Sequence, residues 1–160
     1  MSKALDLGCG PSPRNFFNAD EAYGIDVRDD LDRNILKADL TIAPIPFPDD
    51  FFNYVTAFDF LEHIPRVVYV PERRNAFIEL MNEVWRVLIP SGTFLSFTPA
   101  FPHGPAFRDP THVNIITEET FPLYFDDTNR WGAAYGFRGS FKVLSQEWRG
   151  PHLLTLLSKV

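Results

Sequence analysis

The run Leu5-Asp6-Leu7-Gly8-Cys9-Gly10 places apolar residues and a carboxylate directly before two glycines. Glycines at such a turn let a ligand lie against bare backbone and leave N–H groups free to hold it. Asp26 closes the next apolar run, 20 positions after Asp6, about the interval at which a carboxylate grips ribose hydroxyls. A second chemical group, Asp59, Glu62 and His63, follows the apolar run from Phe52 to Phe58. If the chain continued there as a helix, positions i, i+3 and i+4 would meet. Such a cluster could deprotonate a hydroxyl or hold a divalent metal. His103, Asp109 and His112 lie farther on, in a proline-rich loop, where Asp109 and His112 could form a carboxylate–histidine pair. The candidate catalytic residues are His63, Asp59 and His112. No pair of His or Cys is spaced for zinc, and no metal site is assigned.

Charge discriminates between adenosine cofactors at the glycine turn. A dinucleotide would bring a pyrophosphate against the Asp6 carboxylate, which is repulsive. S-adenosylmethionine carries an ammonium and a sulfonium, and a nearby carboxylate attracts both. The third glycine of the dinucleotide pattern is also missing, because Ser12 and Pro13 follow Pro11.

The elements that position these residues read as alternating short apolar runs, turns and one strong helix, which favours α/β over all-β. Strands are expected at 3–7, 22–27, 34–37, 52–58 and 93–98. The helix is expected over 72–88, because Phe77, Leu80, Met81, Val84 and Leu88 recur on one face before Pro90 and Gly92 stop it. A long loop from Pro99 to Ile116 carries four prolines; loops of that length are usually functional. Thr117 begins a short helix that Pro122 curtails. Residues 141–148 and 152–159 form a closing antiparallel hairpin.

These motifs resemble, in order and spacing from Asp6 to about Thr98, the class I S-adenosylmethionine-dependent methyltransferases of type 11. Leu5 to Pro11 resembles their first motif and Gly24-Ile25-Asp26-Val27 the acidic strand after it. Ala38-Asp39-Leu40 is similar to the adenine segment, and Pro46 to Phe52 to the approach to strand four. Leu61-Glu62-His63-Ile64-Pro65 and Val84 to Gly92 match the segments that follow. Arg108-Asp109-Pro110-Thr111-His112 recurs in some members. The resemblance implies a Rossmann-like, mostly parallel sheet with a C-terminal antiparallel hairpin, in one domain over residues 1–160. It implies S-adenosylmethionine as cofactor, with Asp26 and the adjoining Val27 at the ribose. Asp6 and the turn Gly8-Cys9-Gly10 would receive the methionine part. Asp39 and Leu40 would flank adenine, and Phe58 would begin the wall under the sulfonium.

Composition narrows the function classes. The 160 residues are 45% hydrophobic and 22% charged, with 16 Phe, so one aromatic-rich core is expected. A formal net charge of −6 with no Lys/Arg run argues against a nucleic-acid surface. The lone Cys9 offers no internal disulfide, no signal peptide is evident, and no apolar stretch would span a bilayer; a cytoplasmic protein without membrane or nucleic-acid partners is expected. The short intervals between the first three strands imply truncated helices on one face. A parallel sheet is seldom left bare, so a homo-oligomer is expected. Three functions remain open at this stage: methyl transfer to a small-molecule or saccharide acceptor, a catalytically idle module that binds the cofactor, and an NAD-dependent oxidoreductase.

Overall fold

The computed structural model describes residues 1–160. Its elements run β1 (Lys3–Leu7), β2 (Glu21–Asp26), β3 (Ile35–Lys37), β4 (Phe52–Phe58), β5 (Val68–Tyr69), β6 (Arg73–Arg74), α1 (Ala76–Val87), β7 (Leu88–Pro99), α2 (Pro105–Arg108), α3 (Thr120–Tyr124), β8 (Phe141–Arg149) and β9 (His152–Lys159). Seven strands form one sheet in the order β3-β2-β1-β4-β7-β9-β8. The pairs from β3 to β7 are parallel. β9 is antiparallel to both of its neighbours. This is a Rossmann-like α/β sheet with a C-terminal antiparallel hairpin.

One face of the sheet is sealed. Leu5, Val55, Phe94 and Leu157 lie opposite one another across four strands, and each is fully buried. α1 lays Phe77, Leu80, Met81, Val84 and Val87 into the same cluster. The apolar period suggests a helix from Glu72, but it starts at Ala76, because Arg73 and Arg74 pair with Val68 and Tyr69 in a two-stranded hairpin. At its other end α1 runs straight into β7, whose Leu88 lies opposite Phe52. The strand therefore begins ahead of the expected Thr93. A register shift between Phe52 and Tyr54 and a left-handed Ser91 (φ 63°) absorb the Pro90–Gly92 segment.

The other face has a different cover. Residues 8–20, which connect β1 to β2, contain no helix, and the β2–β3 connection holds only a 3-10 turn at Leu31–Arg33 with no buried residue. Two phenylalanines fill the space. Phe17 stacks on Tyr54 at 4.5 Å between ring centres, and Phe16 rests on Phe58 at 5.8 Å. The aromatic row continues through Phe97 to His152. Phe16, Val27 and Leu31 remain exposed. No helix is long and apolar enough to cross a membrane.

Candidate active site

The strand order reverses between β1 and β4, because the chain leaves β1 for β2 on one side and β4 for β7 on the other. A crevice opens at such a switch point, beyond the carboxyl ends of the strands. Gly8 (φ 64°) and Gly10 (φ 61°) turn the chain there in the left-handed region, where other residues are strained. The Cys9 N–H donates to the Ile25 carbonyl at 3.1 Å, and the Gly10 N–H donates to Asp26 Oδ2 at 3.0 Å. The turn is thus tied to the end of β2. A side chain at Gly10 would meet nothing within 4 Å, so this backbone presents an open surface beside the Asp26 carboxylate. At Gly8 the Phe60 ring occupies the place where a side chain would begin.

Cys9 points the other way. Its sulfur lies where a side chain on Gly24 would stand. Burial, followed by the charges of Asp6 and Asp26, pushes its thiol up to about 11, so it is a packing residue rather than a nucleophile. Asp6 is buried, with Oδ2 accepting the Arg14 N–H at 2.8 Å and Oδ1 accepting the Thr56 hydroxyl at 2.8 Å. Burial raises its carboxyl above the ordinary range against those two bonds. One oxygen ties the segment after the glycines to β1 and the other ties β1 to β4, so Asp6 supports this site through the backbone and does not face a ligand with a free oxygen.

The group that follows β4 is split. Asp59 adopts a left-handed conformation (φ 48°), and the chain then makes a 3-10 turn over Leu61–His63 instead of the α-helix assumed from the sequence. Asp59 therefore swings away from Glu62 and His63 and binds His152, 2.7 Å from its Nε2. His152 stacks on Phe97 at 4.5 Å. Glu62 is buried under the opposite side of the sheet edge, where its Oε2 accepts the Thr98 hydroxyl at 2.8 Å. Burial raises the Glu62 carboxyl above its usual range. The proline-rich loop folds back over this turn, with the Val113 and Asn114 N–H groups donating to the Glu62 carbonyl at 2.8 and 3.1 Å. The loop delivers His112 to His63, ring centres 4.9 Å apart. Asp109 accepts the Thr111 hydroxyl at 2.6 Å, which holds its carboxyl below the usual range, and lies 3.8 Å from His112 Nε2.

Residues 5–96 match the methyltransferase domain family. The chain belongs to this family. No curated protein has a significantly similar sequence. Among solved structures, a Pyrococcus horikoshii protein superposes with a TM-score of 0.67 at 20% identity, covering 100% of this chain and 82% of that one. A SAM-dependent methyltransferase from Archaeoglobus fulgidus gives 0.64 at 17% identity, covering 100% and 86%. One from Mesorhizobium loti gives 0.63 at 15%, covering 98% and 90%. The shared fold is that of the methyltransferase domain.

Within this methyltransferase domain the other predicted contacts fall as follows. Val27 is exposed beside Asp26. The Asp39 side chain accepts the Thr41 N–H at 3.0 Å, and the Leu40 side chain turns into the core. The Phe58 ring already carries a cation, the Arg14 guanidinium at 4.7 Å. His103 is removed from the cluster and meets the Trp148 ring at 4.8 Å. Glu62 is marked in the sequence only as part of a helical cluster. Two residues of the site carry no signal there: Phe60, which the run after β4 contains without any chemical mark, and His152, 93 positions from its partner Asp59. Only the pairing of β9 with β7, which sets His152 opposite Pro99, could have found the last.

Proposed function

We propose that the chain transfers a methyl group from S-adenosylmethionine to a small-molecule or saccharide acceptor. The observation that carries this reading is the open backbone at Gly10 hydrogen-bonded to Asp26 at the β1/β4 switch point. Asp26 Oδ2 accepts the Gly10 N–H and Oδ1 accepts a longer bond from the Arg28 N–H at 3.3 Å; a carboxylate oxygen has two lone pairs, so both retain capacity for the ribose hydroxyls, with Val27 alongside. The turn Gly8-Cys9-Gly10 receives the methionine part. Asp39 and the Leu40 backbone border the adenine. Phe60, against Gly8, supplies the aromatic face under the sulfonium; the Phe58 ring is already covered by the Arg14 guanidinium.

The bound cofactor supplies an electrophilic methyl group on a sulfur that departs as a neutral thioether. Positioning of the acceptor in line with that bond does most of the work. A hydroxyl acceptor must also lose a proton. Asp59 is the titratable group next to the end of β4, beside the strand that carries the glycine turn. With the His152 Nε2–H donating to Asp59, the Nδ1 of His152 is left as proton acceptor.

The test is the affinity for S-adenosylhomocysteine. Asp26→Ala removes a charged acceptor, and hydrogen bonds to charged groups are worth about 1.5–3 kcal/mol each, so binding should weaken roughly tenfold to a hundredfold. Asp29→Ala, in the neighbouring acidic loop, should leave affinity unchanged. Equal affinity of Asp26→Ala and the parent chain would refute the assignment. Turnover with hydroxyl, amine and carboxylate acceptors separates an enzyme from an idle binding module.

A further inference from the structure

Two buried polar atoms on neighbouring side chains near the sheet edge have no hydrogen-bond partner. Glu62 is 1% exposed; its Oε2 is held by Thr98, but its Oε1 has no hydrogen-bond partner. His112, whose side chain is 10% exposed, leaves its Nδ1 equally unpaired. Buried polar groups nearly always have partners, and here two potential donors of electron pairs are left together. A third, on His63, completes the set: one ligand atom from each of Glu62, His63 and His112 lies within 4.8 Å of the other two. We propose that Glu62, His63 and His112 form a binding site for a divalent transition-metal ion of the zinc class.

The surroundings prepare each donor. Asp109 faces Nε2 of His112 at 3.8 Å, which favours the proton there and leaves the lone pair on Nδ1. The Thr111 hydroxyl donates to Asp109 and so accepts from Nδ1 of His63 at 3.1 Å, which leaves Nε2 of His63 free. Carboxylate and hydroxyl groups behind histidine ligands are the usual means of fixing ring orientation and tautomer. Two imidazole nitrogens and one carboxylate oxygen suit Zn2+, Co2+ or Fe2+ better than Mg2+ or Ca2+. Donors to one tetrahedral ion stand roughly 3.4 Å apart, a closure that the exposed His63 ring can supply by rotation. Because His63 is on the solvent side, the ion keeps an open position there. An acceptor hydroxyl bound at that position would lose its proton more readily.

Asp59 is excluded from this set by its bond to His152. The ligands therefore come from two segments, the turn after β4 and the loop after β7. The site is built only when the Asp109–Asn114 segment is seated on the Glu62 carbonyl.

The experiment titrates chelator-treated protein with Zn2+ alone by calorimetry and with Co2+ by visible absorption. One equivalent should bind with a dissociation constant of micromolar or below, and Co2+ should show the intense bands of a low-coordinate site. Glu62→Gln, which keeps the Thr98 contact, and His112→Ala should each weaken binding at least tenfold. His63→Ala, at an exposed position, provides the same reading should either buried variant fail to fold. Asp59→Asn should bind metal as the parent does. Absence of one-to-one binding, or binding unaffected by all three ligand variants, overturns the proposal. Failure of the methyl-transfer reading would show instead as absent S-adenosylhomocysteine binding, and would leave the metal titration unchanged.

Discussion

The two faces of the sheet solve the same problem with different means. On one, α1 covers Leu5, Val55 and Phe94 with five buried side chains in register with the sheet. On the other, a helix-free connection covers Tyr54 and Phe58 with two phenylalanines. The first arrangement is stabilised by a continuous apolar interior; the second is local, and the loop that supplies it also carries the glycine turn. The thin cover and the proposed cofactor site are thus one segment. Loosening the cover should disturb the turn, whereas loosening the α1 face should lower stability as a whole.

The largest expected contrast is in stability. Met81→Ala, at a fully buried position on α1, should cost about 2–5 kcal/mol in denaturant unfolding. The next measure is chemical. With its thiol at about 11, Cys9 should be alkylated roughly a hundredfold more slowly at pH 8 than a thiol at its ordinary value, because only the thiolate reacts. Rates matching a free thiol would mean that the thin cover opens readily. Phe17→Ala should cost less than Met81→Ala, about 1–2 kcal/mol from the lost stack and partial burial, while weakening S-adenosylhomocysteine binding more. Equal losses in stability would remove the distinction between the faces. The smallest effect on stability belongs to Phe16→Glu. Phe16 is 47% exposed; if a second copy of the chain covers this face, as the sequence suggests, the variant should sediment as a monomer where the parent does not. A monomeric parent chain would end that expectation.

The strands were the most legible part of the molecule. β1, β4 and β9 occupy the ranges their apolar runs define, because each is a short run bounded by turn residues. The start of α1 was not, since Arg73 and Arg74 continue its period while pairing outside it. The placement of Asp26 and the glycines at the carboxyl ends of β2 and β1 was readable because they follow apolar runs at fixed intervals. The fate of Asp59 was not, because a single left-handed residue decides whether the next turn brings Asp59 to Glu62 or to a histidine on a strand not yet made. The meeting of His63 with His112 depends on backbone bonds from Val113 and Asn114 to Glu62, which leave no trace in residue type. Leu40 shows a further limit, as the motif that places it beside adenine gives no sign that its side chain serves the core.

The position of β9 between β7 and β8 bears on how this sheet comes into being. A strand that lies inside the sheet but comes last in sequence cannot be laid down in order. While the ribosome is still adding residues, β7 has β4 on one side and an open row of backbone donors and acceptors on the other. Such an edge is a template for wrong pairing. It is closed only when residues 152–159 arrive, and with them Lys159, whose buried ammonium donates to the Leu88 carbonyl at 2.6 Å at the start of the same strand. The nascent chain is therefore most vulnerable to aggregation in the interval just before β9 is released, and chaperone dependence should concentrate there.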